Sequence, residues 1–246
     1  IKELEVMGVT VDLNINVFEM EIPVQREIER IGNYYTVSFS PKIHSFKQIF
    51  FKRVMDIVGA IVGLLITGIV TVFLAPALLI ESPGPLFFSQ VRVGKNGRRF
   101  KIYKFRSMYM DAEERKKELM SQNEMEGLMF KMENDPRVTK VGKFIRKTSI
   151  DELPQFWNIL KGEMSLVGTR PPTEDEFLQY EGYHRRRLNM TPGLTGLWQV
   201  SGRSDTKNFE EIVAMDVEYI DNWSLKEDIK ILFKTVGVVL KGKGAS

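Results

Sequence analysis

With 246 residues, 43% of them hydrophobic, the chain is long enough for one substantial core or a main domain with a smaller appendage, which excludes a wholly disordered chain. The formal charge of +3 is modest but sorted: Glu81 to Met110 carries seven Lys and Arg against the single acid Glu81, and residues 111–135 are mostly acidic. The absence of cysteine excludes disulfides and thiolate metal sites and agrees with a cytoplasmic setting. Because the sequence opens on Ile1 instead of Met, a further N-terminal portion is expected upstream.

Residues 1–45 alternate apolar and polar side chains over Val9–Val17 and again over Tyr34–Phe39, the period of strands, and are expected to be the end of a larger α/β domain with its linker. A helix is predicted from about Phe46. It runs into Ile57–Ile80, 24 residues without a charge and broken by Pro76. That length suffices to cross a bilayer. Its flanks are basic on both sides, with Lys47, Lys52 and Arg53 before it and Arg92 through Arg106 after it. A spanning helix should show positive charge on one side only. A re-entrant course over 46–80, kinked at Pro76 and returning to the same leaflet, satisfies both the charge symmetry and the proline.

Beyond it, Ser82-Pro83-Gly84-Pro85 reads as a turn and Phe87–Phe105 as a hairpin around Lys95-Asn96-Gly97. Asp111 to about Phe130 has helical composition. Short helices and Gly/Pro-rich loops follow Pro136. Phe209–Trp223 and Leu225–Leu240 are amphipathic at helical spacing. The first should pack Phe209, Ile212, Val213, Tyr219 and Ile220 on the core. The second, with Leu225, Ile229, Leu232, Phe233 and Val236 on one side and lysines around them, packs on the core by default and lies in the membrane interface as the alternative. The fold class is therefore α+β, mainly helical, with residues 81–246 as the cytosolic domain.

Ser149-Ile150-Asp151-Glu152-Leu153-Pro154 is the strongest local candidate for chemistry. Ser149 and Glu152 have capping-box spacing, which gives a purely structural account. Pro154 opposes it, because proline prefers the first helical position, and a helix starting near Leu153 would leave Asp151 and Glu152 to point elsewhere. In the same half of the chain lie Lys104 and Arg106, Arg146, Arg170 within Gly168-Thr169-Arg170-Pro171-Pro172, and Arg203 after Pro192-Gly193-Leu194-Thr195-Gly196. Arginine binds phosphate with a planar fork, and glycine lets backbone approach a ligand. With paired carboxylates these point to a Mg²⁺-bound diphosphate. His184-Arg185-Arg186-Arg187 reads as a solvated or lipid-facing surface.

From about Phe51 to Lys241 the sequence resembles the bacterial sugar transferases of the polyprenyl-phosphate hexose-1-phosphate transferase family, the monotopic phosphoglycosyl transferases. The resemblance rests on Lys52-Arg53-Val54-Met55-Asp56, the proline-broken apolar run, Lys101 through Met108, Arg146 with Ser149 through Gln155, Asn158 through Gly168, and Pro192 through Arg203. It implies a re-entrant helix broken at Pro76, a cytosolic active site, Mg²⁺ and a catalytic dyad of Asp151 and Glu152. Two departures are Ala75, where some members have Ser before the proline, and Thr169, where many have Pro. Residues 1–45 look like the remnant of the extra N-terminal region of larger members, which also suggest a homodimer.

The implied reaction has Asp151 attack the β-phosphorus of a UDP-sugar, releasing UMP and holding the sugar phosphate until polyprenyl (undecaprenyl) phosphate takes it, the first membrane step of capsule or exopolysaccharide assembly. Glu152 is expected to ligate Mg²⁺, with assistance to proton transfer as the alternative. Arg146 and Arg170 would offset phosphoryl charge, and Lys104, Arg106 and Arg203 would contact phosphate or nucleotide. No nucleic-acid partner is expected. The rival from another class is a non-catalytic membrane-anchored module that binds lipid or assembly partners through its basic surface.

Overall fold

The computed structural model describes residues 25–32, 34–40, 45–119, 123–124, 127–129, 132, 134–202 and 208–240. The predicted strand Val9–Val17 and the candidate Arg203 lie outside them. The chain forms two compact units, Ile1–His44 and Ser45–Ser246.

In the first unit, β1 (Gln25–Ile31) pairs antiparallel with β2 (Tyr34–Ser40), from Gln25 opposite Ser40 to Ile31 opposite Tyr34. Gly32, at φ +62°, supplies the left-handed turn conformation that closes such a hairpin. The alternation of Tyr34–Phe39 predicts β2.

The second unit opens with α1 (Phe46–Glu81). Ser45 caps it: the Gln48 amide donates to Ser45 Oγ and the Ser45 amide to Gln48 Oε1, each at 3.3 Å. Lys52, Asp56, Ala60, Gly63, Thr67 and Leu78 are buried, a stripe at helical spacing, while Ile61, Leu65, Ile69, Val72, Phe73 and Ile80 stay exposed. A soluble helix of this composition would hide those side chains. The break expected at Pro76 is absent: the helix is one continuous element through the proline, which costs it only the amide donor of the Val72 carbonyl.

The buried stripe docks α1 along the rest of the unit. Lys52 Nζ meets Asp228 Oδ2 at 2.6 Å, Asp56 accepts from Ser165 Oγ and the Leu166 amide, and Thr67 Oγ1 reaches the Leu153 carbonyl at 3.2 Å. A Cβ at Gly63 would fall against the Phe156 ring, so only glycine allows this approach. At the far end, Leu78 packs with Phe105 and Ile145, and the Glu81 carboxylate accepts from the Lys140 and Val141 amides.

The predicted hairpin is present as β3 (Phe87–Val93) and β4 (Arg99–Phe105), paired from Phe87 opposite Phe105 to Val93 opposite Arg99. Asn96 and Gly97, at φ 57° and 76°, turn it. Helix α2 spans only Ala112–Leu119; among the described residues beyond it none is helical up to Thr139, and Gly127 sits at φ +103°. The helix expected to about Phe130 is therefore shorter than its composition suggests. Next come α3 (Lys140–Lys147), a 3₁₀ turn (Ile150–Glu152), α4 (Gln155–Lys161), β5 (Ser165–Val167) and α5 (Glu174–Leu178). A second 3₁₀ turn (His184–Asn189) precedes β6 (Gly193–Thr195), which pairs parallel with β5. Helices α6 (Leu197–Gly202), α7 (Phe209–Asp221) and α8 (Leu225–Leu240) complete the described chain.

Helix α7 buries the face its spacing predicts. Helix α8 follows the default in part: Leu225 and Leu232 of the predicted face pack against the core beside buried Ile231, whereas Ile229, Phe233 and Val236 are exposed, Phe233 at 76%. The basic run also departs from expectation. Arg187 is fully buried with Asp216 at 2.7 Å and Tyr180 Oη at 2.6 Å, Arg186 pairs with Asp221, and His184 lies buried against Glu210. Three of the four basic residues thus tie the turn to α7, while Arg185 stays exposed, its guanidinium over the Phe177 ring.

Candidate active site

The turn bearing Asp151 and Glu152 forms because Pro154 blocks an earlier helix start. Ser149 makes no cap bond and adopts a left-handed backbone, φ 56° and ψ 18°, a conformation rare for serine that marks a held, strained position. Helix α4 begins only at Gln155, with Pro154 at its N-cap. The capping-box account fails, and the two carboxylates are presented by a short turn between α3 and α4.

Lys104, near the end of β4, reaches both: Nζ is 2.7 Å from Glu152 Oε1 and 3.8 Å from Asp151 Oδ2. Asp151 is buried. Strand alternation explains the lysine's direction, since Phe88, Gln90 and Arg92 of β3 pair with Lys104, Ile102 and Phe100 of β4 and so share one face.

That face forms one wall of a cavity of about 410 Å³, within the range of small-molecule sites. Lys104, Arg106, Arg146, Asp151 and Arg170 all line it, so the fold gathers five predicted residues from positions spread over 66 residues of sequence. Arg92 and Arg137 line it too, which makes six cations against Asp151, Glu113 and Glu176. An anionic ligand is what such an excess accommodates.

The cations are fixed in different ways. Arg146 on α3 donates from Nε to Ser107 Oγ at 3.0 Å; burial pushes its guanidinium below the ordinary value, opposed by the charges of Asp151 and Asp135. Arg170 pairs with Glu176 at 3.1 Å. Glu176 is buried at the start of α5, and although burial alone would raise its carboxyl, Arg170 and Arg92 hold it below the usual value. Arg106 is more committed than its sequence suggests, donating to the Ser82 and Pro83 carbonyls and so tying the end of α1 to β4. Thr169, the departure noted beside Arg170, is buried and donates its hydroxyl to the Arg187 carbonyl at 2.9 Å.

Arg92 is the functional candidate that the motifs missed. It donates to the Pro171 carbonyl and Gln90 Oε1, while its buried Nε has no partner. Burial, with the charge of Arg170 added, pushes it down to about 10. The signal that finds it is the hairpin alternation, which puts Arg92 on the face of Lys104.

Among the described residues no group of three or more His, Cys, Asp or Glu is placed to hold a metal ion. Asp151 and Glu152 provide two adjacent carboxylates, and Mg²⁺ at phosphoryl sites is commonly held by one or two carboxylates with the substrate phosphates completing its shell. The dyad fits that donor set.

Residues 47–242 match the family model described as bacterial sugar transferase. The chain is 54% identical over 245 residues to the galactosyl transferase CpsE of Streptococcus agalactiae, a match covering all of this chain and 54% of that protein. It is 47% identical over 206 residues to the UDP-galactose-lipid carrier transferase of Erwinia amylovora, and 46% over 200 residues to the undecaprenyl-phosphate galactose phosphotransferase of Salmonella typhimurium. Each of these matches covers 80% of this chain and 42% of the relative, so the chain spans about half the length of the curated relatives it matches. A family match over four-fifths of the sequence that contains the dyad, the hairpin and Arg170 has one reading: the chain belongs to the bacterial sugar transferase family.

Proposed function

We propose that this chain transfers a hexose 1-phosphate from a UDP-sugar to polyprenyl phosphate at the cytoplasmic face of a membrane. The observation that carries the reading is Asp151 lining a cation-rich cavity large enough for a nucleotide diphosphate. UDP-galactose is the first donor to test, because the three relatives above are named for galactose transfer.

Asp151 attacks the β-phosphorus, a carboxylate O–P bond forms, and the P–O bond to UMP breaks. A phosphate oxygen of the lipid then attacks the same phosphorus, releasing the Asp151 carboxylate. The nucleophile divides a displacement between two anions into two easier steps. Arg146, Arg170 and Arg92 offset charge on the phosphoryl oxygens, and Lys104 moves from its carboxylates towards phosphate as the donor enters. Mg²⁺, held by Glu152 and substrate phosphate, would supply further charge neutralisation. Arg106 acts mainly by holding the loop that follows α1.

We read residues 46–80 as the membrane-embedded segment, 81–246 as the catalytic domain and 1–45 as the remnant of an N-terminal domain with its linker. A monotopic placement is supported by the docking of α1 at both ends: Lys52 pairs with Asp228, and Glu81 caps α3. The helix, about 54 Å long at 1.5 Å per residue, exceeds a bilayer core of about 30 Å. Thr67 and Thr71 each donate back to a carbonyl four residues earlier, a bond that favours bending shortly before Pro76. The exposed apolar face of α8 then lies at the interface.

The test uses UDP-galactose and Mg²⁺ without lipid acceptor. UMP release up to about one equivalent, with a hexose phosphate adduct mapping to Asp151, is expected. Asp151→Asn should give neither. UDP as product would identify an ordinary glycosyltransferase, and no nucleotide release with any UDP-sugar, with or without acceptor, would leave a lipid- or partner-binding module.

A further inference from the structure

A second cavity, of about 300 Å³, meets the dyad turn from another direction: Glu152 lines it, and Asp151 does not. It carries far fewer charged side chains than the first. Leu194, Val200, Leu232 and Val236 supply apolar surface, and the charged side chains are confined to Lys147 and Glu152. We propose that this groove receives the head-proximal part of the polyprenyl chain of the acceptor, with its phosphate near Lys147 and the dyad. The inference rests on the transferase reading above and deepens it, by dividing the two substrates between two cavities that share one turn.

Three observations choose this occupant. The six cations of the first cavity suit a nucleotide diphosphate, whereas this groove has a single lysine among mostly apolar side chains and so fits the apolar partner in the reaction. One cation, Lys147, and Glu152 of the dyad line the groove, which suits a ligand with an apolar body and an anionic head whose oxygen must reach the phosphorus held on Asp151. Its α8 wall includes Val236 and Val239, 57% and 40% exposed, on a helix that also exposes Ile229 and Phe233. A hydrocarbon chain leaving the groove therefore meets exposed apolar side chains of this helix. The volume lies at the lower end for small-molecule sites, enough for a few isoprene units and too little for a whole polyprenyl chain, so most of the chain remains in lipid.

Photolabelling of the full chain in vesicles, with a polyprenyl phosphate carrying a diazirine on the isoprene unit next to the phosphate, reads occupancy without turnover. Adducts should fall within Leu232–Val239 or at Leu194 and Val200, and unlabelled undecaprenyl phosphate should displace the probe while phosphatidylglycerol does not. Adducts on the exposed face of α1, or equal displacement by phosphatidylglycerol, overturn the proposal. Val236→Trp fills the groove from its half-exposed rim, where folding is least at risk. It should raise KM for polyprenyl phosphate about tenfold, the scale of a methylene or two in an apolar pocket, and leave the acceptor-free burst of UMP intact. An unchanged acceptor KM also overturns the groove. Failure of the burst in the unaltered protein instead refutes the transferase reading, whatever the labels show.

Discussion

Lys104 Nζ sits 2.7 Å from Glu152 Oε1, so the carboxylate proposed to hold metal is paired with a lysine. A lysine can turn from one anion to another because it is a point charge on a flexible stem. Lys104→Met should slow the acceptor-free UMP burst by about a hundredfold, the scale of one lost donor facing developing phosphoryl charge. Lys104→Arg should recover only part of the rate, since its wide fork cannot follow the same path. Stopped-flow release of UMP measures both, and a near-normal burst in Lys104→Met would reduce the lysine to a structural tie.

Glu176 fixes Arg170 and gives the site an acid limit. Burial raises its carboxyl, but Arg170 and Arg92 outweigh that and hold it below its ordinary 4.5. A group whose folded value is depressed contributes stability above its unfolded value, and the contribution is lost as pH falls through the folded value. Melting temperature should therefore drop as pH falls below about 4.5. Glu176→Gln should be less stable near neutrality, with the gap from the unaltered protein narrowing as pH falls through that window. A constant gap would place the stabilisation elsewhere.

The hairpin and the turn that carries Asp151 and Glu152 were legible in the sequence because their signals are local. Asn96-Gly97 fixes a turn, and Pro154 denies Ser149 its helix cap within a few residues. The basic run was not legible, since its partners Glu210, Asp216 and Asp221 lie 26, 29 and 35 residues away. Only tertiary packing shows that Arg187 is interior. Arg92 sits between these cases: period-two alternation points it to the face of Lys104, yet its closeness to Arg170 depends on the 171–173 segment crossing β3, where Thr173 bridges to Arg92. Helix α8 misled for a different reason. Its apolar residues divide between the core, which takes Leu225 and Leu232, and the surface, where Ile229 and Phe233 stay exposed, and hydrophobic spacing does not show that division.

The Lys52–Asp228 pair joins α1 to α8 in the interior, with Tyr219 Oη and Trp223 Nε1 also donating to Asp228. Removing one member leaves the other charge buried, which typically costs about 3–5 kcal/mol. Lys52→Met should accordingly lower the melting temperature sharply in detergent. Combining it with Asp228→Asn should recover part of the loss, because a neutral amide still accepts from Tyr219 and Trp223. Additive losses would show that the pair does not act as a unit.

Topology is the remaining prediction, and the contacts of α1 make it specific. Lys52 and Glu81 bind the same unit from opposite ends of the helix, so Gln48 and Gln90 should face the same compartment. With no native cysteine, Gln48→Cys and Gln90→Cys can each be labelled without background. Both should resist a membrane-impermeant maleimide in intact cells and react once the cells are opened. Labelling of exactly one from outside would establish a spanning helix and refute the monotopic reading. Pro76→Leu restores the missing amide donor and removes a helix penalty of about 3 kcal/mol, which favours a straighter helix and should expose a fraction of Gln90→Cys to the outside. If that fraction stays at zero, the docking of Glu81 on α3 and the Thr67 bond to Leu153 hold the course of the helix without help from the proline.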